Sequence, residues 1–180
     1  GYPRFVFHPL VSKACNHYHN MWKIPETQSV LLFPSINVAE QCRDYITFRA
    51  GSSFDAIEIR KIPNVSHVGV IVDHVFEQYL KEFWQHSGLV VSSRYIEDMF
   101  DNALKEYDTE ADFSVRERIA EFAGASAEDV YLTTSGMTSI YYAFKAVVLN
   151  KDETTTIQLG FPYLDTLKIQ ERWDNKSIFL

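Results

Sequence analysis

The densest chemical signal in the chain is Thr133-Thr134-Ser135-Gly136-Met137-Thr138-Ser139. An apolar run at 130–133 precedes it and an aromatic, helix-like run follows. The pattern predicts a strand that breaks into a small-residue turn and restarts as a helix. The first amides of such a helix have no carbonyl partner within it, so they can hold a phosphate. Gly136 has no Cβ, which lets an anion approach its backbone closely. One strand later comes Gly160-Phe161-Pro162-Tyr163-Leu164-Asp165-Thr166, which places the Tyr163 ring at the mouth of the next strand. Each piece alone reads as an ordinary N-cap or a core aromatic. Together they describe a cradle and a platform for a flat, phosphorylated ligand.

The elements that must position these residues follow from apolar periodicity. A helix is expected over 10–22, a buried strand over 29–33, and a helix over 37–49 with Ser35 as its cap and Gly51 at its end. A half-exposed strand (56–62) and an apolar one (68–72) come next, then a helix over 75–86 stopped by Gly88. A short strand at 89–91 should lead into Ser92-Ser93-Arg94 and a helix over 95–106. After a polar, acidic link at 107–112, Ser114 is expected to cap a helix over 115–122. Then follow a strand (130–133), a helix (137–149), a strand (154–159), a helix (164–173) and the start of a strand at 178–180. Alternation of this kind predicts an α/β fold with a largely parallel sheet.

Composition limits the class of protein. Hydrophobic residues make up 46% and charged residues 23%, enough for a sizeable core and too apolar for disorder. A net charge of −7 with no basic run argues against nucleic acid as a partner. No apolar run reaches the roughly 18–20 residues of a membrane span. Cys15 and Cys42 form no disulfide framework, which suits a reducing, cytoplasmic setting. The chain opens without Met and ends on an apolar run, so a piece of a longer protein is expected.

Residues 130–166 resemble the cystathionine γ-synthase/γ-lyase family of pyridoxal phosphate enzymes, the Cys/Met-metabolism group. Ser135-Gly136-Met137 matches its phosphate-binding junction, and Tyr163 falls where the family's ring-stacking Tyr stands. Tyr141-Tyr142-Ala143-Phe144, Asp165-Thr166-Leu167-Lys168 and the opening Gly1-Tyr2-Pro3-Arg4-Phe5 are most similar to the divergent fungal cystathionine γ-synthases. The resemblance implies the aspartate-aminotransferase-like fold type I sandwich, in part, with 113–180 as the first part of the large cofactor domain. An α/β region over 1–112 would precede it. It also implies pyridoxal 5'-phosphate as cofactor, amino acids as small-molecule substrates, and a homo-oligomer, dimer or tetramer. The activity implied is γ-replacement, joining an O-acyl-homoserine and cysteine into cystathionine. An acyl-homoserine sulfhydrylase, a γ-lyase and a non-catalytic regulatory module stay open.

By the same resemblance, Ser135, Gly136, Met137, Tyr163 and Arg94 bind the cofactor. Ser92-Ser93-Arg94 stands where the family has Tyr-Ser-Arg, usually reaching a neighbouring subunit's site, so only Arg94 carries over. The family's covalently bonding lysine and its pyridine-pairing acid lie beyond Tyr163, past residue 180. Lys145, Lys168 and Lys176 have the wrong context for that lysine, so this stretch alone is expected to be inactive. Cys15-Asn16-His17-Tyr18-His19 is not expected to bind metal, because i and i+2 positions face opposite sides of a helix. His67, His74 and His86 read as surface or capping residues.

Overall fold

A computed structural model describes residues 6–51, 56–149, 155–160, 163–173 and 178–179. The opening phrase with Tyr2 and Arg4, together with Phe161, Pro162 and Lys176, lies outside them. In chain order the elements are α1 (Pro9–Met21), β1 (Gln28–Phe33), α2 (Ile36–Ala50), β2 (Ile57–Lys61) and β3 (Val68–Asp73). After them come α3 (Glu77–Ser87), α4 (Ser93–Phe100), α5 (Thr109–Ala123), α6 (Gly136–Leu149), β4 (Ile157–Gln158), α7 (Leu164–Trp173) and β5 (Ile178–Phe179). Local chemistry sets several of the ends. Ser35 Oγ accepts the Val38 amide at the start of α2, and Gly51 closes that helix in the left-handed region. Pro9 opens α1, whose Leu10 amide is taken by His8 Nδ1.

The α/β class holds, but the expected parallel arrangement is corrected. The main sheet is antiparallel, in the order β1-β3-β2. β1 and β2 flank the α2 crossover and run in the same direction, as a β-α-β unit requires. β3 then enters between them as the third partner. It reaches β2 through a short loop in which Asn64 takes φ +64°. A strand buried on both faces reads as a continuous apolar run whichever way its neighbours point, so composition did not reveal the direction. Parallel pairing occurs between β4 and β5, each two residues long.

Two further strands are absent. Residues 89–91 form no ladder: Leu89 and Val91 are buried in an irregular connection, with the Leu89 amide on Ser87 Oγ and the Val90 amide on the Gly88 carbonyl. Residues 130–133 likewise have no strand partner among the described residues, and Tyr131 is 86% exposed. Two helix bounds also move. α4 begins at Ser93 and stops at Phe100, so Arg94 lies in a first helical turn and not at a strand end. α5 begins at Thr109, because Asp108 accepts the Ala111 amide at 2.9 Å, and Ser114 is therefore interior. Glu110 and Asp112 fall in its first turn, where the helix dipole favours negative charge.

The core is continuous from the sheet outward through its helices. Phe33 of β1 meets Phe83 of α3 at a ring separation of 5.7 Å. On the outer side of α3, Tyr141 of α6 and Trp173 of α7 close on Phe83 and on each other, and Trp173 also meets Tyr45 of α2 at 4.6 Å. Met137, Tyr141 and Ile169 thus belong to the same buried cluster as the sheet. The opposite face of the sheet receives Trp22. A Cβ on Gly69 would lie 2.5 and 2.8 Å from two Trp22 ring atoms. Gly69→Ala should therefore push the indole out of place and destabilise the chain by about 1–3 kcal/mol, the usual range for overpacking. Urea denaturation measures it, and an unchanged midpoint would refute the close fit.

Candidate functional site

The turn before α6 uses its own hydroxyls to fix its shape. Ser135 Oγ accepts the Thr138 amide at 3.2 Å, and the Ser135 carbonyl accepts the Ser139 amide at 3.1 Å. Thr133 Oγ1 donates to the same carbonyl at 3.0 Å. Thr138 Oγ1 donates to the Gly88 carbonyl at 2.9 Å, so the Ser135 hydroxyl can donate to Thr138 Oγ1, 3.0 Å away. The amides of Gly136 and Met137 remain, without acceptors among the described residues. Space is open in front of them: a Cβ on Gly136 would have nothing within 4 Å. These features fit an anion with several oxygens. Ser135 is thus an N-cap whose hydroxyl hydrogen can still turn outward. Met137 contributes only its amide, since its side chain is buried in the core.

Tyr163 lies immediately before α7. Its carbonyl accepts the amides of Thr166 and Leu167, and its side chain is 56% exposed, leaving ring surface on which a flat molecule can stack. The α6 turn and the first turn of α7 both face the same end of α3. Thr138 ties the α6 turn to Gly88, and buried Asp165 of α7 lies 3.9 Å from buried His86 Nδ1. Gly88 is required there. Its φ is +68°, and a Cβ would stand 2.8 Å from Thr138 Oγ1 and 3.0 Å from Ser135 Oγ.

Burial lowers the pKa of His86 to about 4, with Arg172 adding to the effect and Asp165 opposing it. The imidazole is therefore neutral near pH 7, and its contact with Asp165 is no ion pair. Both His86 and His67 are buried, which corrects the surface reading; His67 stacks on Tyr95 at 3.7 Å. The sequence reading missed His86, Gly88, Thr138 and Asp165. Of these, only Gly88 carried a signal, as a helix stop.

The structure brings together Ser135, Gly136 and Met137, and sets Tyr163 at the start of the adjacent helix. Arg94 stands apart. It is exposed on α4, and no hydrogen bond or ion pair among the described residues links it to the other four. Lys145 is half-buried on α6, and that burial lowers its pKa against the pull of Asp44. Lys168 on α7 is tied to Glu171 at 2.6 Å.

Residues 8–92 match the family model described as fungal trans-sulfuration enzyme, N-terminal domain. Cystathionine gamma-synthase of Saccharomyces cerevisiae is 32% identical over 111 residues, 54% of this chain and 17% of the yeast protein. Cystathionine gamma-synthase of Neurospora crassa is 30% identical over 135 residues, 61% of this chain and 21% of that protein. A cystathionine gamma-synthase-like enzyme of Amanita muscaria, iboG1, is 23% identical across 96% of this chain and 42% of its own length. The chain thus spans less than half of the relatives it matches. No solved structure matches it. Residues 8–92 are thus similar to the N-terminal domain of the fungal trans-sulfuration enzymes, and the relatives support a likeness to the fungal-type cystathionine γ-synthases.

Proposed function

We propose that the chain is part of a pyridoxal phosphate enzyme that joins an O-acyl-homoserine and cysteine into cystathionine, releasing the acyl group as its carboxylate. The supporting observation is the pair of open amides at Gly136 and Met137, in a turn that faces the same end of α3 as the helix that Tyr163 precedes. In this reading 113–180 opens a fold type I cofactor domain, with 1–112 as a preceding α/β region. The short parallel pair β4–β5 is the kind of pairing from which such a domain's sheet is built. Pyridoxal phosphate, when bound, would act as an electron sink for bonds broken at the substrate's carbons.

This chain's residues would bind and orient that group. The Gly136 and Met137 amides and the Ser135 hydroxyl would hold the phosphate, and the α6 dipole would add to that hold. Tyr163 would cover one face of the ring and exclude water from it. Arg94, turned to solvent, would serve a neighbouring copy's phosphate in a homo-oligomer.

The test uses the whole protein. Its cofactor absorbance should be retained on dialysis, and Tyr163→Ala should lose cofactor faster and turn over more slowly. Unchanged cofactor affinity in Tyr163→Ala would remove the ring from the site. Offering cysteine and sulfide as competing acceptors, and cystathionine as a substrate for cleavage, would test the γ-replacement itself.

A further inference from the structure

A groove whose lining includes no residue of α6 or its turn lies at the open edge of the main sheet. β1 is an edge strand. The register, with the His74 amide on the Thr27 carbonyl, turns the odd-numbered residues of β1 toward β3 and the even-numbered ones outward. Three outward groups are used locally, the first being the Gln28 amide, which donates to the Pro25 carbonyl at 3.0 Å. His19 Nε2 donates to the Gln28 carbonyl at 3.3 Å, and the Leu32 amide donates to the Cys15 thiol. Between them, the amide and carbonyl of Val30 have no partner among the described residues. Main-chain groups at a sheet edge are a template for another backbone.

Two adjoining cavities of about 230 and 350 Å³ open at this point, sharing Cys15, Asn16, Ser29, Val30 and Glu77. Their chemistry is segregated. One end is closed by Phe7, Leu31 and Leu80; the other by His19, Glu26, Gln28 and His74. Glu77 sits at the junction, 3.0 Å from Lys81 Nζ. Lys81, with Ser29 and His74, holds the Glu77 carboxyl below its ordinary range, so it is charged at neutral pH. Burial lifts Cys15 to about 11, which leaves a neutral thiol as wall and not a nucleophile. The combined space suits a small molecule. It has carboxylates for a cation, an edge amide and carbonyl for a main chain, and an apolar end for a tail.

We propose that this groove binds a free α-amino acid with a straight apolar side chain, as an effector site separate from the α6 turn. The ammonium group faces Glu26 and Glu77, the carboxylate meets the Val30 amide and Lys81, and the side chain runs toward Phe7 and Leu80. This site does not depend on the cofactor reading of α6.

Calorimetric titration of the chain with L-norleucine, hexylamine and N-acetyl-L-norleucinamide tests it. Saturable binding of L-norleucine, with hexylamine and the capped amide at least about tenfold weaker, is expected, a charged contact accounting for roughly that factor. Glu77→Gln should weaken L-norleucine by about tenfold or more. Ser12→Trp, on the α1 wall, should abolish binding while circular dichroism and melting stay unchanged. Three results would overturn the proposal: no saturable heat with L-norleucine, equal affinity for hexylamine, or tighter binding of the capped amide. The last would mark the edge as a peptide site instead.

Discussion

Phe83→Ala is expected to lower stability by about 3–5 kcal/mol, the usual cost of emptying a buried aromatic site. The ring is fully buried and meets Phe33, Tyr45, Tyr141 and Trp173, so it touches the sheet, α2, α6 and α7 together. Four side chains of fixed shape cannot collapse onto a methyl group without moving a helix. Edge-on and tilted contacts add about 0.5–1.5 kcal/mol per pair beyond area burial. Set against a total stability of about 5–15 kcal/mol, the loss would leave a marginal fold. Chemical denaturation followed by tryptophan fluorescence measures it, since Trp173 lies in the same cluster. A loss below about 1 kcal/mol would mean that α6 and α7 do not close on α3 as described.

The second large effect concerns ligand and not fold. Gly136→Val in the whole protein should weaken pyridoxal phosphate by about a hundredfold or more, since charged hydrogen bonds are worth about 1.5–3 kcal/mol each and two amides are screened. The branched side chain would stand over both amides. Nothing lies within 4 Å of its Cβ, so the folded chain has room for it, and melting should stay close to wild type. Titration of the apo-protein monitored by cofactor absorbance gives the affinity. Normal affinity with a normal melt would place the phosphate elsewhere. Reduced affinity together with a collapsed melt would point to a damaged α6, a case that Gly136→Ala resolves by adding less bulk.

Helices were the most legible part of the fold, because caps and apolar stripes are local properties. Ser35, Gly51 and Gly88 stand at helix ends as their types suggested, and α6 and α7 lie within a residue of their expected bounds. The sheet was less legible, because pairing is set by partners distant in sequence. The apolar run at 68–72 announced a buried strand but not which neighbours would claim it. Runs at 89–91 and 130–133 had the composition of strands but no ladder to join. The α6 turn was readable from Ser135 and Gly136. Its tie to α3 was not, since Thr138 fell inside the expected helix over 137–149 with nothing to mark its bond to the Gly88 carbonyl. Arg94 was readable as a type, and its helical setting followed from where α4 begins.

The inserted position of β3 governs the order in which the chain can assemble. β1 and β2 never touch through backbone bonds; each is completed only by Val68–Asp73. As the polypeptide leaves the ribosome, the first strand and the helix after it must wait, uncommitted, for a segment made later. The hairpin that delivers β3 is then the step at which this half of the molecule becomes a unit.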